Sequence, residues 1–285
     1  ADDFVEKLFV ASTHSYILFF TNKGRVYRLR GHEIPEAGRN ARGLAVINLI
    51  NFEPGERIQA TIPISEYSDD HFLTMATRKG IIKKTALSAF DTNRSGGLIG
   101  ITLDEDDELV GVELTEGNSE VLLVTSEGQA IRFSEDQVRP MGRPTRGVIG
   151  IKLDEGDSVV GLVVASDDAD LLVVTENGFG KRTSLSEYRV ANRAGKGVLT
   201  LNKTKRTGAI VGVQVVREGN EIMILSVDGI MIRMKVAEIS RLGRNTQGVT
   251  LMRLDNDDRV IGVADIVGKE EEDDEPEVVE TATEE

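Results

Sequence analysis

Basic residues recur at two fixed places along this chain. Arg28, Lys84, Arg132, Arg182 and Arg233 each lie four residues after a glycine. Arg39, Arg94, Arg143, Arg193 and Arg244 each sit in a short loop just ahead of a second glycine. Lys196 stands in the fourth of these loops and joins them as a candidate. A guanidinium is a planar fork of donors that bonds two oxygens of a phosphate or carboxylate at once, whereas an ammonium is a compact charge. The loops read GRNARG at 38–43, NRSGG at 93–97, GRPTRG at 142–147, NRAGKG at 192–197 and GRNTQG at 243–248. Small residues beside an arginine let a backbone approach an anion closely. The chemistry on offer is oxygen-anion recognition.

Other chemistries find little support. Cysteine is absent, which removes disulfides, thiolate metal sites and thiol nucleophiles together. His14, His32 and His71 share no metal-ligand spacing. No G-x-x-x-x-G-K-[ST] loop and no G-x-S-x-G elbow occurs. Acidic runs such as DEDDE at 104–108 lack the spacing of a calcium loop and read as solvated turns. The sequence therefore implies no cofactor and no metal bound by this chain.

The elements that carry these cations form an internal repeat. Five segments align on a glycine after a short apolar run: LFFTNKG at 18–24, TMATRKG at 74–80, LLVTSEG at 122–128, LVVTENG at 172–178 and MILSVDG at 223–229. A second glycine follows in each copy, at Gly43, Gly97, Gly147, Gly197 and Gly248. Next come an apolar stretch, a turn that is acidic in most copies, and a closing strand such as LVGV at 109–112 or VVGL at 159–162. The fourth copy breaks the pattern with KTKR at 203–206. Val- and Ile-rich runs between Gly, Asp and Asn turns predict about four short strands per copy. Helical periodicity is confined to single turns near 184–188 and 236–240. Repeats of about 50 residues with four strands predict an all-β radial assembly. We place the domain at 1–268, with repeats at about 4–64, 65–115, 116–165, 166–216 and 217–267.

In a radial array, equivalent residues fall at equivalent radii. The two basic sets would then make two bands around the rim, a curved positive surface suited to bending duplex DNA through its phosphates. The alternative is that each cation pairs with an acidic turn of its own or a neighbouring repeat. Both readings stand at this point. The net charge of −14 does not decide between them. Residues 269–285 hold ten acids and one lysine, or −9, which leaves −5 for the body. That acidic stretch reads as a disordered tail, either solubilising or competing with DNA for the basic surface. No signal peptide and no apolar run of membrane-spanning length is evident, so a soluble cytoplasmic protein is expected. The start, without Met and leading into strand-like sequence, has the character of a fragment.

The pattern resembles the C-terminal domain of the bacterial DNA gyrase A subunit. The resemblance runs from Phe4 to about Val267 and rests on FVASTHSYILFFTNKGRVY at 9–27, EIPEAG at 33–38, NGFGKRT at 177–183 and GRNTQGV at 243–249. It implies a β-pinwheel, a propeller-like disc whose neighbouring blades exchange a strand. It also implies a rim that wraps double-stranded DNA in support of negative supercoiling. By the same resemblance the partners are the rest of the gyrase A polypeptide and the gyrase B polypeptide in an A2B2 complex, located with the nucleoid. ATP, Mg²⁺ and the breakage-reunion tyrosine then belong to other parts of the enzyme, and Tyr27 is a packed strand residue.

The family's first blade carries a Q-R-R-G-G-K-G-like box. That box is absent here, the nearest stretch being AGKG at 194–197. The first blade is thus missing or incomplete, and five repeats remain. Two alternatives stay open: the related domain of topoisomerase IV, and a propeller that serves only as a protein-interaction platform.

Overall fold

The structure is a computed structural model that describes residues 11–37, 43–94, 97–255 and 257–266. The first repeat gives β1 (Tyr16–Thr21), β2 (Arg25–Arg30) and β3 (Ile58–Ile64). The second gives β4 (Phe72–Thr77), β5 (Ile81–Ala86), β6 (Leu98–Ile99) and β7 (Leu109–Thr115). The third gives β8 (Glu120–Thr125), β9 (Gln129–Ser134), β10 (Val148–Ile149) and β11 (Val159–Val164). The fourth gives β12 (Asp170–Thr175), β13 (Phe179–Ser184), β14 (Val198–Leu199) and β15 (Ile210–Val216). The fifth gives β16 (Glu221–Ser226), β17 (Met231–Lys235), β18 (Val249–Thr250) and β19 (Val260–Ile266).

Each hairpin turns on the same chemistry. In the first, the Gly24 amide donates to the Thr21 carbonyl at 2.9 Å, and the Thr21 hydroxyl accepts from the Arg25 amide at 3.4 Å. The same hydroxyl contact recurs at Thr77, Thr125, Thr175 and Ser226. Asp107, Asp157 and Asp258, each the fourth residue of its turn, fold back onto these hairpin tips. Their carboxylates accept the amides of Lys79, Glu127 and Asp228 at 3.0–3.1 Å. The solvated-turn reading therefore fails for the acid at the fourth position of each of these turns. That acid is a buried backbone acceptor for Asp107 and Asp258.

The sheets are ordered β3-β1-β2-β6, β7-β4-β5-β10, β11-β8-β9-β14, β15-β12-β13-β18 and β19-β16-β17. The last strand of each four-stranded sheet comes from the next repeat, so neighbouring blades of the β-pinwheel exchange a strand. Two departures from four strands per copy follow from that exchange. Residues 43–50 of the first repeat make a 3-10 turn, Val46–Asn48, in place of the short strand, because no earlier sheet among the described residues offers an edge. The fifth sheet has three strands because no later repeat among the described residues adds to β17. Single 3-10 turns also follow β2, β5, β9, β13 and β17, three more than periodicity suggested.

The core lies between blades. Leu18, Phe20 and Ile62 of the first sheet pack on Leu73, Met75, Phe90 and Leu109 of the second, and analogous clusters fill the next three interfaces. The outer face of the first sheet is covered by its own 46–58 segment, where Tyr27 meets Phe52 edge-to-face at 5.2 Å. The far face of the fifth sheet leaves Val227, Met231 and Ile261 exposed. The inner strands β3, β7, β11, β15 and β19 pack in succession. That packing depends on glycine: a Cβ at Gly161 would lie 2.8 Å from Val213 Cβ, whereas at Gly262 it would meet nothing within 4 Å.

Between its 3-10 turn and its short strand, each repeat after the first sends an arm across the preceding sheet. Two lysines lie fully buried beneath such arms. Lys83 on β5 donates to the carbonyls of Gly100 (2.5 Å) and Arg143. Lys181 on β13 donates to the carbonyls of Gly243 (2.8 Å), Arg244 (2.7 Å) and Thr246 (3.2 Å) and to the Thr246 hydroxyl (2.9 Å). Burial pulls Lys83 down to about 7 and Lys181 down to about 8.

Gly161→Ala should destabilise the domain by about 1–3 kcal/mol through overpacking, while Gly262→Ala is neutral or slightly stabilising. Urea melts of both variants check this, and equal effects would contradict the close-approach account. For Lys83, the unfolded chain holds the extra proton between pH ~7 and pH ~10, so stability rises with pH across that window. The stability of the parent chain relative to Lys83→Met should therefore climb as pH is raised above about 7. A pH-independent difference would count against release of a proton on folding.

Candidate nucleic-acid interface

The two basic sets separate in the structure. Lys84, Arg132 and Arg182 are buried and engaged inside the protein. Lys84 Nζ donates to the Glu135 carbonyl at 3.1 Å, lies 3.6 Å from its carboxylate and sits over the Phe72 ring. Arg132 bonds Glu120 and Asp167 and donates to the Leu185 carbonyl at 2.8 Å. Arg182 bonds Asp170 at 3.0 Å and donates to the Ile239 carbonyl at 2.9 Å. In each case the carbonyl belongs to the 3-10 turn of the next repeat or adjoins it. These cations are clamps between blades, and the expectation that they form a DNA-facing band is corrected for all three.

The end members differ by degree. Arg28 stacks on Tyr16 at 4.8 Å and donates to the Tyr67 hydroxyl. Arg233 has no following turn to grip among the described residues; it pairs with Glu221 on its own hairpin and stays exposed. Four of this set pair with internal carboxylates, Glu135, Glu120, Asp170 and Glu221 among them, rather than with the acidic turns that the sequence offered, and among the described residues Arg28 is held by tyrosines alone.

The second set lies at the outer edge, in the arms that lead into the exchanged strands. Arg39 falls outside the described residues. Arg94 is exposed. Arg143 donates to the Ile99 carbonyl at 3.3 Å, Arg193 to the Ile149 carbonyl at 2.8 Å and Arg244 to the Leu199 carbonyl at 3.1 Å. Each acceptor is the second residue of the exchanged strand on the preceding blade. The three arginines are half-buried and make no ion pair with a described carboxylate. A neutral carbonyl fixes each guanidinium without cancelling its charge, and its remaining N–H groups stay available.

The local backbone explains why these loops point outward. A Cβ at Gly147 would fall 2.5 Å from the Ile82 carbonyl oxygen, and at Gly248 2.7 Å from that of Gly180. Both glycines have positive φ, 100° and 76°. The loop thus closes tightly onto the underlying sheet. Thr145, Gly195 and Thr246 each accept an amide from the preceding repeat, of Thr102, Lys152 and Asn202, at 2.9–3.0 Å. Lys83 and Lys181 hold two of the loops from beneath. In the third sheet Ile131 occupies that place, and Gln137 holds the loop instead. Its amide donates to the Ala191 carbonyl at 3.2 Å, and its Oε1 accepts the Arg193 amide at 2.9 Å.

Lys196 is exposed and pairs with Asp154 at 2.8 Å, and Arg146 forms a fork with Asp104. Sequence reasoning missed Arg139, Arg189 and Lys152. All three are exposed on or beside the same loops and pair with no described carboxylate. Arg139 and Arg189 share the position eight residues before the second glycine, a signal present in only these two repeats. Lys83 and Lys181 gave no signal, because a lysine in a half-buried strand ordinarily faces solvent.

The family described as "DNA gyrase C-terminal domain, beta-propeller" matches residues 15–65, 71–116, 119–166, 169–217 and 220–266. The DNA gyrase A subunit of Clostridium acetobutylicum is 51% identical over 265 residues, covering 93% of this chain and 32% of the relative. That of Halalkalibacterium halodurans is 56% identical over 279 residues, covering 98% and 34%. The chain spans about a third of the length of these curated relatives. Among solved structures, the C-terminal domain of DNA topoisomerase IV aligns with a TM-score of 0.83 at 33% identity, covering 89% of this chain and 80% of that one. A DNA gyrase A C-terminal domain aligns at 0.78 and 27%, covering 90% and 84%. With five matched repeats, strand-exchanged sheets and these identities, the chain belongs to the family of DNA gyrase A C-terminal domains.

Proposed function

We propose that the outer-edge loops bind duplex DNA through its phosphates and bend it around successive blades. The observation that carries this reading is the series Arg143–Ile99, Arg193–Ile149 and Arg244–Leu199. It sets one uncompensated guanidinium at each junction between neighbouring exchanged strands. Arg94, Arg139, Arg189 and Lys152 flank the series, with Arg39 in the first loop. Lys196 adds a cation whose exposed pair with Asp154 is weak enough for a phosphate to displace. Phosphate contacts position a duplex without reading its sequence. The chain then acts as the wrapping domain of DNA gyrase and supports negative supercoiling. Cleavage chemistry, ATP and Mg²⁺ belong to the remainder of an A2B2 enzyme, and the protein works on the nucleoid in the cytoplasm.

A second reading, the equivalent domain of topoisomerase IV, draws on the higher structural likeness to that protein. The identities of 51% and 56% to gyrase A polypeptides favour gyrase.

Arg143→Ala, Arg193→Ala and Arg244→Ala together should weaken binding to unrelated duplexes alike and flatten the salt dependence by about 2–3 log units per log unit of salt. An unchanged salt slope would remove these arginines from the interface. Arg132→Ala should do the reverse. It breaks a buried clamp and costs about 3–5 kcal/mol of stability, yet leaves the affinity of the folded fraction unaltered. Loss of DNA affinity without loss of stability in that variant would reinstate the inner cations as contacts.

A further inference from the structure

We propose that Lys181, and Lys83 in the corresponding place, are positioning residues for the DNA-binding arginines, each holding one outer-edge loop by its carbonyls from beneath. The proposal rests on the DNA-binding reading above and deepens it. Neither lysine reaches solvent, so neither touches a phosphate. Lys181 collects four oxygens from Gly243, Arg244 and Thr246, the loop that presents Arg244. Lys83 collects the carbonyl of Arg143 itself, together with that of Gly100. With these carbonyls turned inward, the Arg143 and Arg244 side chains reach along the outer edge to the neighbouring exchanged strand.

The fold alone does not require an ammonium there. Ile131 and Ile232 fill the same strand position in the third and fifth sheets, the third being as complete as the two that hold a lysine. Burying a charge is expensive, and an apolar residue of similar volume is often neutral or stabilising. Where Ile131 replaces the lysine, Gln137 supplies the missing hold on the loop. Three loops are thus fastened by two different chemistries. Loop geometry is the shared result.

The test is a double-mutant cycle on DNA affinity at neutral pH, with Lys181→Met, Arg244→Ala and the pair. Lys181→Met should fold with unchanged secondary structure and lose about three- to tenfold in affinity. The double variant should lose no more than Arg244→Ala alone, because Lys181 acts through that arginine. Lys181→Met combined with Arg193→Ala should lose the product of the two single effects. A Lys181→Met variant that binds as well as the parent overturns the proposal. So does a loss that multiplies in full with that of Arg244→Ala. If Arg193→Ala and Arg244→Ala leave affinity unchanged, the outer-edge reading fails and the positioning role falls with it. Should Lys181→Met fold poorly, Lys181→Ile, which copies Ile131, and the cycle of Lys83→Met with Arg143→Ala put the same question.

Discussion

A two-residue strand cannot hold a sheet edge by itself, and four blades of this protein depend on one. β6, β10, β14 and β18 each pair with the preceding sheet at two positions. A hydrogen bond contributes about 1 kcal/mol net, while ordering one residue's backbone costs about 1–2 kcal/mol. The arm leading to each strand must therefore be fastened along its length. In three of the four arms the 3-10 turn, or the residue just after it, is gripped by an interior cation of the preceding sheet, Lys84, Arg132 or Arg182. The middle of the arm crosses the sheet at isolated bridges such as Arg132 with Val190. Its end closes at a glycine and then pairs. The outer-edge arginines sit on the last free stretch of this arm, so their placement inherits the whole fastening.

The repeats, the strands and the turn chemistry were legible in the sequence because they depend on neighbours a few residues apart. The Gly80 amide donates to the Thr77 carbonyl three residues back, a bond made within the hairpin itself. The fate of the charges was not legible. Arg132 and Arg193 both recur at fixed offsets, and composition treats them alike. Arg132 is buried because a turn more than 50 residues later places the Leu185 carbonyl on it. Arg193 stays uncompensated because its acceptor, Ile149, is a backbone carbonyl of the preceding arm. The strand exchange behind both contacts was visible only through family resemblance. Lys83 was hidden for the same reason: alternation along β5 cannot show that the next repeat lays an arm over it.

The two ends of the array show which constraints are local and which come from a neighbour. Gly43 and Gly262 have empty space where Gly147 and Gly161 have a clash. Arg233 loses its clamp and turns to its own hairpin, since no sixth turn follows among the described residues. The first sheet compensates by folding its 46–58 segment over its outer face, and Tyr27, bonded to Glu56 at 2.5 Å, is pushed up to about 12 by that burial. Each of these positions belongs to the repeat by sequence and departs from it by location.

An acidic protein proposed to bind DNA is a paradox only when charge is summed. Asp170 is taken up by Arg182 and Arg241, Glu135 by Lys84, and Asp104 by Arg146. Asp107, Asp157 and Asp258 are spent on hairpin amides. Exposed charges further apart than about 10 Å are largely screened at ordinary salt, so a polyanion senses the outer edge more than the total. Carbonyl acceptors at that edge do what carboxylates could not. They order a guanidinium, which lowers the entropy lost when it meets a phosphate, and they leave its charge in place. A carboxylate in their place would order the arginine too, but a phosphate would then have to displace it. The backbone of the exchanged strand is thus both the edge that completes a sheet and the support that leaves the arginines uncompensated and aimed.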